Sequence, residues 1–454
     1  MTNPTEAQPQ ENVQAASHAS SQNIEQAYQE IAAYGGFSLL ESAIKGMANM
    51  NPERNTRKKI FLTETDREKD RQALLKTVQL WIDILKSGSD VGEMFDKCNQ
   101  RSEAISKTLS QNQLTALKSV RDLEQSYRSV MLFFKNSEQD KVRNVTFMNA
   151  SLEQLTDLDN ARFIDCVANE LVQGYDRLDL RKNYSMLVIP GYLGSNMVVE
   201  KWAKIAYENK VMLVTDFADL DKPDDVADLF LDANLTGGET HRANVIMCCN
   251  WYVGRGKCEE LGETEHLHVP PSSGLAGKMY YTRMAQVSAG KKYGGINEVG
   301  GVAFPLKKSE ISQLEAMGLI PMVYEYDKVM AFSGKTLFNG DDLGLQTYSV
   351  VRVFDYVFKV LCDFLNRTAF VNWDTDAEKN MRRQIVSYLD SVKGPKGLID
   401  KFQIIRFEQD KKHPDRVHLE FRMVPFYPSK SFIIKMTGTK GEENVDWESD
   451  VKQE

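Results

Sequence analysis

The sequence predicts an α/β fold in which an N-terminal helical region precedes mixed-sheet domains and a C-terminal β arm. Residues 65–135 repeat apolar side chains at helical spacing. Apolar runs at 185–190, 211–215 and 243–249 alternate with helical stretches, which is typical of buried parallel strands. Residues 417–423 alternate strictly between apolar and polar side chains, which predicts a strand with one buried face.

Composition narrows the class of protein. The chain has 454 residues, 42% of them hydrophobic, and a net charge of −8. We therefore expect two or three domains and no broad nucleic-acid surface. The apolar runs are far shorter than the roughly 20 residues of a membrane-spanning helix, and the N-terminal residues lack a signal-peptide pattern. We therefore expect no membrane insertion. Six cysteines without a C-x-x-C pair indicate free thiols, so we expect a cytoplasmic protein.

The N-terminal region combines a polar tail with helices. Residues 1–20 predict a disordered tail, and 38–47 predict a short helix. Between them, apolar residues at i, i+3, i+4 and i+7 predict an amphipathic helix that Gly35 and Gly36 end. These apolar residues are Ile24, Ala27, Tyr28 and Ile31.

The helical block opens with Thr65 and Glu68 at the spacing of a capping box. Gly88 ends its first helix, and two more helices are predicted at 91–109 and 113–134.

Strands and helices alternate beyond residue 136. Residues 258–310 are rich in Gly, Pro and Ser and predict loops around one helix. The other predicted strands are at 142–148, 319–324, 329–332 and 432–436. The predicted helices are at 198–207, 226–235, 276–289, 309–317, 348–365 and 375–392, the last with a capping box at Thr375 and Glu378.

At the C-terminus, a turn at 425–428 is predicted to join the alternating strand to the strand at 432–436. From Lys440 onward, six acidic and two basic residues predict a solvated acidic tail.

Candidate chemistry is sparse. Ser333–Thr336 matches the end of a P-loop, but Val329 occupies the position of the first glycine. His241 is a candidate general base without a recognisable nucleophile, and the glycine-rich segment 290–301 is either a substrate lid or, on the favoured interpretation, a flexible or partner-docked loop. The remaining candidates are possible zinc ligands, but their spacing matches no common zinc site. They are Cys248, Cys249, Cys258, His266 and His268. We therefore assign no catalytic, cofactor-binding or metal-binding residue.

The C-terminal half resembles contractile tail sheath proteins. Residues 309–321 (SEISQLEAMGLIP) resemble the sheath segment in which a short helix ends at glycine before a strand. Residues 329–337 (VMAFSGKTL) resemble its strand and Gly-x-x-Leu turn, and residues 350–356 resemble the helix that follows. The strand–Pro–strand unit ending at Met436 resembles the closing β arm.

Two N-terminal segments narrow the resemblance. Residues 123–130 (LEQSYRSV) and 145–155 (VTFMNASLEQL) are similar to the large sheath subunit of type VI secretion systems, the TssC or VipB type. Tyr127 replaces the family's tryptophan, Ser129 replaces a glycine, and the family's PRxLxRxPYG stretch is not recognisable after residue 250. The chain therefore resembles a divergent branch of that family.

The resemblance implies a structural protein without a cofactor rather than an enzyme. In the family, the large subunit pairs with a small sheath subunit of the TssB or VipA type. The heterodimers stack helically around an Hcp-type inner tube, above a baseplate, and the sheath contracts to propel tube and effectors. A recycling AAA+ ATPase of the ClpV type then acts on it.

Three assembly surfaces are expected from that resemblance. The inter-subunit strands carry Val417, Leu419, Phe421, Met423, Phe432, Ile433, Ile434 and Met436, with an intramolecular hairpin as the alternative. The small-subunit contact carries Leu123, Tyr127 and Val130. The ATPase recognition element carries Ile24, Ala27, Tyr28 and Ile31, with docking on the small subunit as the alternative.

The expected organisation has five regions. They are N-terminal tail and helices (1–45), a helical region for the small subunit (46–136), a sheath α/β domain (137–310), a C-terminal sheath domain with its β arm (311–437) and an acidic tail (438–454). Two other functions stay open: the sheath of another phage-tail-like device, and an α/β enzyme with a site near 241–301.

Overall fold

The computed structural model describes residues 10–35, 37–138, 142, 144–430, 432–439 and 445–453. The chain divides into two compact units, and the division falls between Ala116 and Leu117.

The first unit is helical. In chain order it contains α1 (Gln10–Ala32), α2 (Phe37–Ala43), α3 (Asn55–Thr63), α4 (Glu68–Leu85) and the first part of α5 (Val91–Asn136). Its core packs α1 on α4 and buries Ile24, Ile31, Leu74 and Val78. The predicted disordered tail is wrong for residues 10–20, which extend α1 without a Gly or Pro to interrupt it. Residues 1–9 and Gly36 lie outside the described residues.

Two predictions about the helical block are wrong. Thr65 does not cap a helix, because Thr65–Arg67 form a 3₁₀ turn and the Glu68 carboxylate accepts from buried Arg71 at 2.6 Å. The two helices predicted at 91–109 and 113–134 form one helix, α5. The polar residues between them include no Gly or Pro, so the backbone hydrogen bonds continue.

The second unit contains the remaining elements in alternation. In chain order they are α6 (Leu152–Thr156), α7 (Arg162–Tyr175), β1 (Met186–Ile189), α8 (Asn196–Glu208), β2 (Met212–Asp216), α9 (Pro223–Ala233), β3 (Val245–Cys249), β4 (Tyr252–Arg255), β5 (Leu267–Val269), α10 (Ser272–Tyr281), α11 (Gly290–Tyr293), β6 (Gly301–Val302), α12 (Lys308–Ala316), β7 (Leu319–Glu325), β8 (Lys328–Ala331), α13 (Tyr348–Arg367), α14 (Thr375–Ser391), β9 (Ile399–Gln409), β10 (Val417–Pro425), β11 (Phe432–Thr439) and β12 (Val445–Gln453).

The predicted parallel core is confirmed, and so is the α/β class. The sheet order is β1-β2-β3-β7-β8, in which the first four strands run parallel and β8 pairs antiparallel with β7. Every residue of β2 and β3 is buried. Leu213 packs in the cluster with α8 and α9, whereas Met212 and Val214 pack in the cluster with α10. Helices on both faces therefore explain the continuous apolar runs.

The region predicted as loops holds a second sheet. Strands β5-β4-β6 pair antiparallel, and α10 begins upstream of the predicted 276–289. Strands this short show no readable period in a sequence. The glycine-rich segment 290–301 packs on these sheets, since Ile296 N–H donates to the Val329 carbonyl and Gly300 N–H to the Val253 carbonyl. It is therefore an internal connection of the domain rather than a lid.

The strand predicted at 142–148 is wrong. Residues 144–150 have no regular structure, and residues 141 and 143 lie outside the described residues. Asn144 has a left-handed backbone (φ 54°), and the Thr146 hydroxyl lies 2.6 Å from the Tyr184 hydroxyl. A side-chain hydrogen bond therefore holds this segment in place, rather than backbone pairing with a neighbouring strand.

The C-terminal pairing also differs from the prediction. Strand β10 pairs with β9, which was not predicted, and β11 pairs with β12 in the segment predicted as an acidic tail. Residues 440–444 and 454 of that segment lie outside the described residues. The capping box at Thr375 is wrong as well, because the Asp374 carboxylate caps α14 by accepting from the Asp376 and Ala377 N–H groups.

Candidate assembly surfaces

Strand β11 presents apolar side chains to solvent. Phe432, Ile433, Ile434 and Met436 are all exposed, Ile433 by 73%. A two-stranded antiparallel pair is marginally stable by itself. An exposed apolar strand in such a pair is typical of a surface that a partner covers.

The β10 residues of the same predicted site lie elsewhere. Met423 is buried, and Leu419 and Phe421 are half-buried against a core that α13, α14 and β9 share. Val417, at the start of the strand, is exposed. The structure therefore places the β10 apolar face on the domain's own core and the β11 residues on its surface.

The part of α5 that belongs to the second unit, from Leu117 onward, packs a polar face against the rest of that unit. Arg121, Gln125 and Arg128 donate to backbone carbonyls of the second sheet and its flanks. The acceptors are the carbonyls of His266, His268 and Gly254, at 2.8, 2.8 and 3.0 Å. Glu124 adds an ion pair with Arg255 at 3.1 Å. This polar seam holds residues 121–128 of the helix, whereas Leu132, further along the helix, is buried in the apolar core of the domain.

The outer face of the same helix is apolar. Leu123, Tyr127 and Val130, the predicted small-subunit contact, are exposed at helical spacing, Leu123 by 72%. Val120 continues the stripe and is also exposed, which the sequence analysis missed because the pattern resembles an ordinary buried face. An outward apolar stripe on a helix is suited to packing against another helix.

The N-terminal residues expected to be recognised by an ATPase lie in the core of the first unit. Ile24, Ala27 and Ile31 are buried, and the Tyr28 ring packs edge-on against Phe37 at 5.5 Å. Another protein can reach these side chains after α1 separates from α4.

A buried carboxylate lies at the end of the parallel sheet. Asp216 accepts from Gly191 N–H at 2.9 Å, from Ser272 N–H at 2.7 Å and from the Ser272 hydroxyl at 2.5 Å. Burial raises the pKa of Asp216 to about 7. These bonds join the end of β2 to the start of α10, and both Asp216 and Ser272 are fully buried. The arrangement fastens two elements of the core.

The candidate zinc residues have other partners. Cys248 and Cys249 lie in β3 and are buried, His268 Nδ1 lies 2.9 Å from Asp219, and His266 Nδ1 accepts from Lys257 N–H. A hydrogen bond to Asp219 raises the pKa of His268. Across the ranges that the structure describes, no group of His, Cys, Asp or Glu has a metal-binding arrangement.

The P-loop-like residues bond to a neighbouring loop. The Thr336 hydroxyl donates to the Leu345 carbonyl at 2.7 Å, and the Lys335 ammonium binds the Gln346 side chain. His241 is largely buried, with Nε2 3.9 Å from Glu200. Burial lowers the pKa of His241.

Three family models match the chain in order. The TssC/VipB-like N-terminal region matches residues 24–113, the type VI secretion system TssC/VipB central domain matches 115–339, and the TssC/VipB-like C-terminal domain matches 347–453. The chain belongs to the TssC/VipB family. It is a contractile sheath subunit, as the sequence motifs predicted.

The solved structures to which the chain is similar include the following three. The helical sheath of the anti-feeding prophage in its contracted state is 17% identical, over 69% of this chain and 81% of the other, with a TM-score of 0.46. A chain of the anti-feeding prophage baseplate is 19% identical, over 54% of this chain and 65% of the other, with a TM-score of 0.41. The sheath tail protein of Desulfitobacterium hafniense is 12% identical, over 64% of this chain and 59% of the other, with a TM-score of 0.39.

The TssC/VipB chain has no significant match among curated protein sequences. Among its described residues, no helix combines the length and the apolar content needed to cross a bilayer.

Proposed function

We propose that this TssC/VipB chain is the large sheath subunit of a cytoplasmic type VI secretion system. It pairs with a small sheath subunit, and the pairs stack with further copies above a baseplate and around an Hcp-type tube. Contraction of this sheath propels the tube, and the chain itself has a structural rather than a catalytic role. The observation that best supports this proposal is the match of all three TssC/VipB regions, in order, between residues 24 and 453.

The small subunit is proposed to cover the outer stripe of α5. The stripe is apolar and exposed, whereas the opposite face of the helix already binds the second sheet through polar groups. A partner helix with an apolar face would bury Leu123, Tyr127 and Val130. This part of the interface does not require the large subunit to change shape.

Strand β11 is proposed to join a sheet formed with neighbouring subunits. Its apolar side chains are exposed, and strand addition would supply both further backbone hydrogen bonds and apolar cover. The β10 residues then support the arm from within the domain, rather than contacting the neighbour through their buried face.

Helix α1 is proposed as the element that a ClpV-type ATPase recognises. Its apolar residues are buried against α4, so recognition requires α1 to detach. Leu74→Ala should loosen α1 without altering it, and should speed ATPase-driven disassembly severalfold. Leu80→Ala, on the exposed side of α4, is the matched control. An equal disassembly rate in both variants would count against α1 as the recognised element.

Electron microscopy of the chain co-expressed with its neighbouring gene tests the proposal directly. Hollow tubules that require both proteins are expected. Tubules formed by this chain alone would favour the sheath of another phage-tail-like device. Discrete particles at every salt concentration would contradict a sheath role and would direct substrate screens to residues 241–301.

Pull-down by the small subunit tests the α5 surface. Leu123→Glu combined with Tyr127→Glu should weaken binding at least tenfold, because two charges would enter an apolar contact. Leu231→Glu changes a leucine that is 65% exposed on α9 and should leave binding unchanged. Full binding by the double variant would place the small subunit on another surface.

A further inference from the structure

The connection between β10 and β11 carries a lysine that reaches back to the domain. The Lys430 ammonium binds the Glu315 carboxylate of α12 at 2.7 Å. In the same connection, the Tyr427 hydroxyl lies beside Gly344, and a Cβ atom placed on that glycine would lie 3.4 Å from it. These contacts hold the base of the β11–β12 arm against α12 and against the loop that precedes α13.

Glu315 needs a cation for two reasons. Its side chain is only 8% exposed, so water solvates the carboxylate poorly. It also lies in the last turn of α12, where the backbone carbonyls create a negative potential, and that turn contains no basic residue. An ammonium from another part of the chain, here that of Lys430, therefore stabilises the carboxylate.

A second lysine lies close to this ion pair. The Lys335 ammonium binds the Gln346 side chain. Burial lowers the pKa of Lys335, and the Lys430 charge lowers it further, whereas the Glu315 carboxylate raises it. Because Lys335 also interacts with Glu315, loss of the Lys430 charge would not leave the buried carboxylate without a cation. The fold of the domain therefore does not depend on Lys430, and the effect of the ion pair is expected in the arm.

We propose that Lys430 is a positioning residue that fixes the direction in which the β11–β12 arm leaves the domain. This inference rests on the proposed function, in which neighbouring subunits cover the exposed side chains of β11. An arm held in one orientation loses less conformational entropy when a neighbour binds it. The ion pair therefore favours assembly by preparing the subunit before any neighbour is present.

Another ion pair provides a matched control. Lys204 binds Glu200 in α8 at the same 2.7 Å, and its side chain has the same exposure as that of Lys430, 53%. Glu200 is 32% exposed and also pairs with Arg242. Lys204→Gln therefore removes an equivalent lysine charge at a place that does not touch the arm.

Spin-label distances test the orientation of the arm. Labels attached through noncanonical amino acids at positions 231 and 433 report its direction in the chain before assembly. Lys430→Gln should broaden the distance distribution about twofold, with an unchanged thermal midpoint. Lys430→Arg keeps the charge and should restore the narrow distribution, and Lys204→Gln should leave it unchanged. A distribution as narrow in Lys430→Gln as in the wild-type chain would overturn the inference.

Removing the other partner separates the ion pair from a general effect of the substitution. Glu315→Gln should broaden the distribution as much as Lys430→Gln, and the double variant should broaden it no further, because both changes remove one interaction. Additive effects of the two changes would show that Lys430 does not act through Glu315, and would overturn the inference.

Light scattering during co-assembly with the small subunit connects orientation to assembly. Lys430→Gln should form tubules about tenfold more slowly than the wild-type chain, whereas Lys430→Arg and Lys204→Gln should assemble at the wild-type rate. Assembly of Lys430→Gln at the wild-type rate, despite a broadened distribution, would overturn the role in assembly. Absence of tubules from the wild-type pair would instead contradict the proposed function. The spin-label comparison, made before assembly, would still decide whether the ion pair orients the arm.

Discussion

The two C-terminal antiparallel pairs have the same architecture and opposite surroundings. In β9–β10, Ile399, Phe407 and Met423 are buried against α13 and α14. In β11–β12, the apolar side chains at positions 432–436 of β11 are exposed. The first pair obtains its stability inside the chain, whereas the second lacks that support. An apolar strand therefore does not by itself reveal whether its cover lies within the subunit or in a neighbour.

The largest expected effect lies in the first pair. Phe407 is buried, contacts Trp373 and has the Arg382 guanidinium 5.7 Å from its ring. Phe407→Ala should lower the free energy of unfolding by about 3–5 kcal/mol, because it leaves a cavity and removes these ring contacts. Denaturant unfolding with hydrogen exchange at β9 measures the loss.

Phe432→Ala is the matched change in the second pair. Its ring is exposed, so the free energy of unfolding should change by less than about 0.5 kcal/mol. If both alanine variants lost the same stability in the isolated chain, the contrast between the pairs would be wrong.

A smaller effect is expected at the β9–β10 turn. Asp410 accepts from His418 Nε2 at 2.7 Å, and also from Lys412 and His413 N–H groups. The His418 hydrogen bond holds the pKa of Asp410 at about 2, below its ordinary value of 3.8. A lowered pKa means that the ionised carboxylate stabilises the folded turn. That contribution is present above about pH 4 and is lost as the pH falls through about 2.

Titration of the Asp410 carboxyl carbon by NMR checks this sign. The midpoint should lie near 2 in the wild-type chain and should rise towards 3.8 in His418→Leu, which has no hydrogen-bond donor. An unchanged midpoint in His418→Leu would show that His418 does not lower the pKa of Asp410. A raised midpoint in the isolated chain would show that the β9–β10 turn forms before any neighbour binds, which sharpens the comparison.

The parallel core was predictable because each of its buried strands is recognisable from its own residues, without knowledge of the strands beside it. Residues 211–215 and 243–249 are continuous apolar runs, and no other common element of that length needs two apolar faces. Gly318 was also informative, since its φ of +97° ends α12 before β7 as the sequence predicted.

The partners of the C-terminal strands were not predictable from the same pattern. Strand β10 alternates regularly, but β9 mixes charged and apolar residues and follows the Gly394–Gly397 turn, so the sequence does not reveal their pairing. The acidic residues beyond 440 indicated a solvated tail, although residues 445–453 pair with β11.

The sequence also does not show which face of α5 is buried, because that depends on contacts with distant parts of the chain. Leu123, Tyr127 and Val130 have the spacing of a buried stripe, and the sequence places them on one face of a helix. Which face turns inward depends on whether Arg121, Gln125 and Arg128 find acceptors. Those acceptors lie 126 to 145 residues away along the chain, and only the fold brings donors and acceptors together.

The smallest effect on stability and the most selective effect on assembly are expected at Ile433. The side chain is 73% exposed, so Ile433→Asp should change the free energy of unfolding by less than about 0.5 kcal/mol. In an inter-subunit sheet, the same carboxylate would be buried without a partner, and tubules should be lost from cells. Ile60→Asp, at an exposed isoleucine of α3, should leave both stability and tubules unchanged. Normal tubules from Ile433→Asp would mean that no neighbour covers β11. The two pairs would then differ in how exposed their apolar side chains are, but that exposure would have no role in assembly.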